Sequence, residues 1–260
     1  MAMIEMHPQA ASASSPFRPV LVIVPTLDEA SDITELLERV RSSLPAADVL
    51  VIDDGSSDGT PQRAEAAASE LGQIRVWRRT GPRGLGAAYR AGFLAAVAEG
   101  YEVVVQMDAD LSHNPGDLGS LVRAVSRGAD VAIGSRYVPG GATPGWSRRR
   151  RALSRAGGVY ARTLLGLQVH DVTSGYRAYR AELLRTIDLA SVTSTGFGFQ
   201  IDMTERAQRA GAAFSEVPIT FRDRTSGESK MSRSIIVEAL AMVTRRALDR
   251  RVAERTVVVG

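Results

Sequence analysis

Short, wholly apolar runs alternate with amphipathic stretches along the first half of the chain. Val20-Leu-Val-Ile-Val24 is apolar at every position and stops at Pro25, the pattern of a strand buried on both faces. Ile33, Leu36, Leu37 and Val40 follow at helical spacing, with Ser31 placed to cap the first turn. Val49 to Ile52 predicts a second strand, and Thr60-Pro61 supplies a cap and a first-turn proline for the next helix. Strands at Ile74 to Trp77, Val103 to Met107 and Val131 to Gly134 alternate with helices at Leu85 to Ala98 and Leu118 to Val125. Alternation of this kind predicts an α/β fold, a mostly parallel central sheet with helices on both faces.

The second half is less regular. A basic helix is expected from Arg148 to Leu165, strands at Gly175 to Tyr179 and Phe214 to Ile219, and a helix near Gln200 to Arg209 between them. A last helix is expected from Ser234 to Arg250. No repeat or linker interrupts the chain. The expected division is a disordered tail at 1–19, one α/β domain at 20–233 and an amphipathic helix with its tail at 234–260.

Composition narrows the chemistry. The 260 residues include no cysteine, which excludes disulfides, zinc–thiolate sites, iron–sulfur clusters and thiol nucleophiles. Of 32 basic residues only Lys230 is a lysine, and the net charge of +3 does not suggest a nucleic-acid binder. No secretion signal is visible at the start, and the apolar run Ile235 to Val243, broken by Glu238, is far short of the about 20 residues a membrane span needs. The expected location is the cytosol or a membrane's cytosolic face.

Candidate chemistry gathers where strands end, the place where open α/β sheets bind ligands. Asp108-Ala109-Asp110 directly follows the fourth strand, and two carboxylates so spaced can hold a hard divalent cation against a diphosphate. A solvated turn capping the next helix is the competing reading. Asp53-Asp54-Gly55-Ser56-Ser57-Asp58-Gly59-Thr60 follows the second strand; Asp54 is expected to meet a base or ribose, and the downstream residues to shape the turn. Pro25-Thr26-Leu27-Asp28-Glu29 lacks the glycine pattern of a nicotinamide site, and no phosphate-loop NTPase motif occurs. Arg83-Gly84-Leu85-Gly86 opens the third helix, where glycines let backbone N–H groups approach an anion. Arg136, Arg150, Arg177, Arg224 and Lys230 are candidate phosphate partners, each against the alternative of an ordinary solvated charge. His113, three residues after Asp110, is the better placed of two lone histidines, the other being His170.

Taken in order, these segments resemble the nucleotide-sugar glycosyltransferases of the GT-A fold, family 2, and within them the polyprenyl (dolichyl) phosphate mannose synthases. The resemblance spans Arg18 to Arg233 and rests on Pro25 to Glu29, Asp53 to Thr60, Arg83 to Gly86, Asp108-Ala-Asp-Leu-Ser-His113, Gly134-Ser-Arg-Tyr137, Thr173-Ser-Gly-Tyr-Arg177 and Arg224 to Met231. It implies a GT-A-type nucleotide-sugar-binding fold. It further implies inverting transfer of mannose from GDP-mannose to a polyprenyl monophosphate, with Mg2+ or Mn2+. Pro25, Leu27, Glu29, Ile52 and Asp54 would hold the nucleotide. Asp108, Ala109 and Asp110 would meet the diphosphate, with Asp108, Asp110 and Ser112 at the metal. Arg136, Arg224 and Lys230 would contact the phosphates, and together with Asp110 they are the expected catalytic group. Arg136, Arg150 and Ser154 would receive the acceptor phosphate. Where the family usually has Tyr-Asn this chain has Leu27-Asp28, which removes an aromatic contact to the base.

A polyprenyl acceptor further implies peripheral membrane association on the cytoplasmic side, with an anchoring protein as a potential partner. Ile236, Leu240, Val243 and Ala247 share one face of the last helix, with Arg245, Arg246, Arg250 and Arg251 at its end. The Arg148 to Arg162 helix, with Leu153, Val159 and Leu164, is open to the same two readings. Each face suits an anionic membrane surface or the protein's own core. Two other functions stay open: a polyprenyl phosphate glucosyltransferase using UDP-glucose, and a noncatalytic basic membrane-surface module that would tolerate Asp110→Ala. A sugar-1-phosphate nucleotidyltransferase should carry a glycine-rich basic loop after the first strand, and Pro25 to Glu29 is not one.

Overall fold

A computed structural model describes residues 19–223 and 238–249. The apolar runs form seven strands, β1 (Val20–Thr26), β2 (Asp48–Asp53), β3 (Ile74–Arg78), β4 (Val103–Gln106), β5 (Val131–Ser135), β6 (Arg177–Arg180) and β7 (Phe214–Pro218), in one sheet of order β3-β2-β1-β4-β6-β5-β7. All neighbours are parallel except β6, which runs antiparallel to β4 and β5. The expected mostly parallel sheet is therefore present.

Strand alternation divides the core in two. Leu21, Ile23, Leu50, Ile52 and Val104 point to one face, and Val20, Val22, Val24, Val49, Val51, Val103 and Val105 to the other. The second face is covered by α1 (Ile33–Ser43), α2 (Thr60–Leu71) and α4 (Leu118–Ser126). The first is covered by α3 (Leu85–Ala98), the end of α5 (Arg148–Leu165), α6 (Ala181–Thr186), α7 (Gly196–Arg209) and α8 (238–249). Fully burying one such aliphatic side chain contributes about 1.5–3 kcal/mol, so both faces hold the sheet firmly.

Several boundaries differ from expectation for local reasons. The residue preceding α1 is Asp32 rather than Ser31, and its side chain makes no capping bond. Thr60 is the first residue of α2, not its cap: its backbone N–H goes to Asp58 Oδ1, 2.9 Å away. Its hydroxyl instead accepts from Glu29 N–H at 2.8 Å and so ties the loop after β1 to the loop after β2. α7 begins at Gly196, ahead of the expected Gln200. The short helix α6 was not anticipated.

The topology explains where a ligand can sit. β1, β2, β4 and β5 all end on one edge of the sheet, and β6, running the other way, begins there. The segments after β1, β2, β4 and β5 and before β6 thus converge on that edge.

Candidate functional site

On the β1–β2 side the loops are knitted together by backbone donors and short polar side chains. Asp28 takes a left-handed conformation (φ 53°) and its Oδ1 accepts from Ser57 N–H at 2.8 Å. Asp53 caps the turn after β2 by accepting from Gly55 and Ser56 N–H at 3.1 and 3.0 Å. Asp54 is buried; its oxygens accept from Arg79 Nε at 2.6 Å and Gly84 N–H at 2.7 Å. It therefore organises the 79–84 loop, and any nucleotide contact by Asp54 is added to that duty. The Pro25 and Ile52 side chains are buried, and Ile52 packs toward Gly92 of α3, leaving backbone as their surface to a ligand. Leu27 and Glu29 are half-buried beside them.

After β4 the chain folds tightly. Leu111 adopts φ 57°, a conformation costly for a branched side chain, and this turns Ser112 back so that its N–H reaches Asp110 Oδ1 at 3.1 Å. Strain of that kind, about 1–3 kcal/mol, persists where the surroundings over-determine it. Ala109 packs into the core, so it offers only backbone to a diphosphate. Asp108 is held from behind. The buried Tyr89 hydroxyl donates to its Oδ1 at 2.9 Å, and its N–H donates to His113 Nδ1 at 3.3 Å. Burial lowers the His113 imidazole below its usual range, against the pull of Asp108 and Asp110. The ring is thus a neutral acceptor stacked on Tyr176, its centroid 4.8 Å away, and is a loop-bracing residue rather than a ligand. Gly175 sits close enough to Asp108 that an added Cβ would lie 3.3 Å from Oδ2.

A divalent cation fits this turn by its donor chemistry. Asp108 and Asp110 supply carboxylates, and the buried Ser112 Oγ has no hydrogen-bond partner among the described residues. No cluster of three or more His, Asp or Glu capable of holding a metal occurs among the described residues. The protein set is sparse, as suits a cation that completes its shell with phosphate oxygens and water.

At the end of β5, Arg136 is almost fully buried. Its Nε and Nη2 reach Asp171 Oδ2 and Oδ1 at 2.7 and 2.6 Å, and its backbone N–H reaches Asp171 Oδ2 at 3.0 Å. The rings of Tyr137, Trp146 and Phe221 surround the guanidinium at 5.3–5.5 Å. Phe221 also packs edge-on against His113, so the carboxylate turn and the arginine are neighbours through shared rings. Beside Arg136 lies a cavity of about 560 Å3 lined also by Tyr137, Thr143, Arg151, Arg155 and Thr220.

Other sequence-derived candidates fall differently. Arg150 does not line this cavity; its Nη1 pairs with Asp223 at 2.7 Å and it stacks on Trp146. Arg151 and Arg155, one helical turn apart, take the inward direction that Arg150 was expected to take. Ser154 accepts from the Tyr137 hydroxyl at 2.6 Å, at the cavity's margin. Arg177 is not a phosphate partner. It is fully buried and donates to the carbonyls of Val172, Ser174 and Gln200 and to Thr204 Oγ1. Gly86 is not an anion cradle either: a Cβ there would lie 2.6 Å from Ser194 O and 3.0 Å from Phe199, so its role is close packing of α3. His170 is exposed and bonded to Glu216. Arg224 and Lys230 lie outside the described residues. Tyr89 and Asp171 were missed. Asp171 heads the segment ending in Arg177, but its partner Arg136 is 35 residues away in sequence, and no local signal marks Tyr89.

The membrane faces also divide. On α8, Val243 and Ala247 are buried in the core, and Arg246 pairs with Asp202 and Glu205 at 2.7 and 2.8 Å, so that part of the expected lipid face is internal. Ile236, Arg250 and Arg251 lie outside the described residues. α5 is the opposite case: of its 18 residues only Gly158, Ala161 and Leu165 are buried, and Leu153, Val159 and Tyr160 are exposed. Leu164 is partly buried against the core. Among the described residues no helix is long and apolar enough to cross a membrane.

The model of glycosyl transferase family 2 matches residues 21–188. The undecaprenyl-phosphate mannosyltransferase of Micrococcus luteus is 50% identical over 232 residues, 89% of this chain and 95% of that one. The polyprenol monophosphomannose synthase of Mycolicibacterium smegmatis is 50% identical over 229 residues, 88% of this chain and 86% of that one. Among solved structures, glucosyl-3-phosphoglycerate synthase from Mycobacterium tuberculosis, crystallised with Mn2+, UDP and glucosyl-3-phosphoglycerate, superposes with a TM-score of 0.67 at 22% identity, over 88% of this chain and 80% of that one. The same enzyme with Mg2+ and UDP gives 0.65 over 87% and 80% at 22% identity. These likenesses establish a shared GT-A fold.

Proposed function

Since this chain belongs to glycosyl transferase family 2, we propose that it moves mannose from GDP-mannose to a polyprenyl monophosphate, inverting the sugar's anomeric configuration and releasing GDP. The observation that carries this reading is a single one. The carboxylate turn after β4 and the arginine-lined cavity after β5 adjoin on one sheet edge, in a chain half identical to polyprenyl-phosphate mannosyltransferases over most of its length.

The residues divide the work. Pro25, Leu27, Glu29, Ile52 and Asp54 border the nucleotide. Asp108, Asp110 and Ser112 would hold a divalent cation, Mg2+ or Mn2+, which when bound offsets the negative charge that builds on the departing diphosphate. Arg224 and Lys230 are assigned to the same diphosphate by their place in the family's motif. Arg136 receives the acceptor phosphate, with Arg151 and Arg155 joining it in place of Arg150, and Ser154 at the edge. A phosphate monoester has its second pKa at about 6, so the acceptor oxygen arrives ionised near neutral pH. No base is needed to deprotonate it, and His113, buried with its Nδ1 occupied by the Asp108 N–H, is not placed as one. The arginines' task is then to hold two anions in line, and positioning alone supplies much of a rate.

Offered GDP-mannose and UDP-glucose in parallel with polyprenyl phosphate, the purified protein is expected to consume only the former. Turnover of UDP-glucose alone would replace the mannose assignment with glucose. The exposed Leu153, Val159 and Tyr160 of α5, next to Arg148, Arg149 and Arg155, support peripheral attachment to the cytoplasmic face of the membrane. Liposomes containing anionic lipid are expected to sediment the protein at low salt and release it at high salt. Complete absence of co-sedimentation at low salt would remove the membrane part.

A further inference from the structure

The segment Asp171-Val-Thr-Ser-Gly-Tyr-Arg177 is left without a function once Arg177 proves to be internal. Its first residue is a carboxylate 1% exposed to solvent, and everything around that carboxylate concerns direction. Oδ2 accepts from both the backbone N–H and Nε of Arg136, at 3.0 and 2.7 Å, and Oδ1 accepts from Nη2 at 2.6 Å. Thr173 Oγ1 takes a further Nη2 proton at 2.8 Å. Every hydrogen bond that the guanidinium makes among the described residues therefore runs through Nε and Nη2, and the residue lines the cavity. The carboxylate is itself fixed: Glu216 accepts from the backbone N–H groups of Asp171 and His170 at 3.0 and 2.7 Å. Below it, Arg177 clamps the carbonyls of Val172 and Ser174. Burial alone would raise the Asp171 carboxyl; the Arg136 guanidinium more than reverses this and holds it below the usual range, hence ionised.

A buried ion pair is a weak source of net stability, because desolvation cancels most of the attraction. What this pair provides is orientation, since a planar guanidinium gripped at Nε and Nη2 presents Nη1 in a set direction. We propose that Asp171 is a positioning residue for the transfer reaction, acting through Arg136 to aim its Nη1 amino group at the acceptor phosphate. Thr173 is the second grip. The proposal rests on the reading that Arg136 meets that phosphate.

The test is a double-mutant cycle on Arg136→Met and Asp171→Asn, reading the KM for polyprenyl phosphate, the Kd for GDP-mannose and the melting temperature. Each single change is expected to raise the acceptor KM by about tenfold, on the scale of one charge-assisted contact, with the GDP-mannose Kd unchanged. The double variant is expected to be no worse than Arg136→Met alone, since residues that act through one another are not additive. The melting temperature is expected to fall with either single change, because each leaves a buried partner uncompensated; a merely structural Asp171 would weaken both ligands alike, whereas a positioning Asp171 weakens the acceptor alone. Should Asp171→Asn fail to fold, Thr173→Val removes one Nη2 acceptor at nearly constant shape and is expected to raise the same KM about threefold. A rise with Arg136→Met but none with the Asp171 or Thr173 variant, or effects that multiply in the double, would overturn the proposal. No rise with Arg136→Met would overturn the phosphate reading of Arg136 and the proposal together.

Discussion

Asp110→Asn is expected to reduce mannosyl transfer by about a thousandfold while leaving the fold intact. The substitution is nearly isosteric. Its amide oxygen can still accept the Ser112 N–H that Asp110 Oδ1 accepts at 3.1 Å, so the strained turn through Leu111 keeps its internal bond. What is lost is one of two negative charges where a cation and a diphosphate would be brought together. A carboxamide is a far poorer ligand for a hard cation than a carboxylate. Manganese binding, read by electron paramagnetic resonance of the free ion, should weaken in parallel, and the melting temperature should stay within a few degrees. Wild-type transfer by this variant would leave the carboxylate turn as a helix-capping device.

Gly86→Ala is expected to act on stability first. The new methyl group would lie 2.6 Å from Ser194 O, a backbone atom, and 3.0 Å from the Phe199 ring. Neither can move without separating α3 from the segment leading into α7. Overpacking of this sort costs about 1–3 kcal/mol, or about 3–10 °C of melting temperature for a chain of this size. Activity should fall as well, because Phe199 stacks on Tyr89, at a centroid distance of 6.0 Å, and Tyr89 holds Asp108. Were Gly86 instead there to admit an anion to the helix end, alanine would weaken nucleotide binding at an unchanged melting temperature. Calorimetry and a nucleotide titration on one sample separate the two.

The parts of the fold legible in the sequence are those that repeat a period. β1, β2 and β4 are apolar at consecutive positions because helices cover both sheet faces, and α1 and α4 carry clear stripes. β6 starts two residues later than its apolar pattern predicts, because Gly175 lies against Asp108 and the ladder with β4 starts at Arg177. α6, with six residues, is too short to show a helical period. The start of α7 was hidden by Gly196 and Gly198; packing of the second against Met242 overrides their weak helix propensity.

The site follows the same logic. The Asp108–Ser112 turn was readable because its chemistry is carried by neighbours in sequence. The direction of each arginine was not. Four consecutive arginines step around a helix by about 100° each, so only the neighbours contributed by distant segments decide that Arg150 meets Asp223 while Arg151 faces the cavity. Arg177 defied the rule that arginines lie at the surface because carbonyls from Val172, Ser174 and Gln200 meet it inside. Asp171 could not be paired with Arg136 from sequence, being 35 residues away.

The most direct test follows label from GDP-mannose into a polyprenyl phosphate presented in detergent or liposomes, using the purified protein with a divalent cation and again with a chelator. A mannosylated lipid phosphate and free GDP are expected in equal amounts, abolished by the chelator and restored by excess Mg2+ or Mn2+. No labelled lipid under any of these conditions, or transfer that continues undiminished in the chelator, would contradict the proposed function.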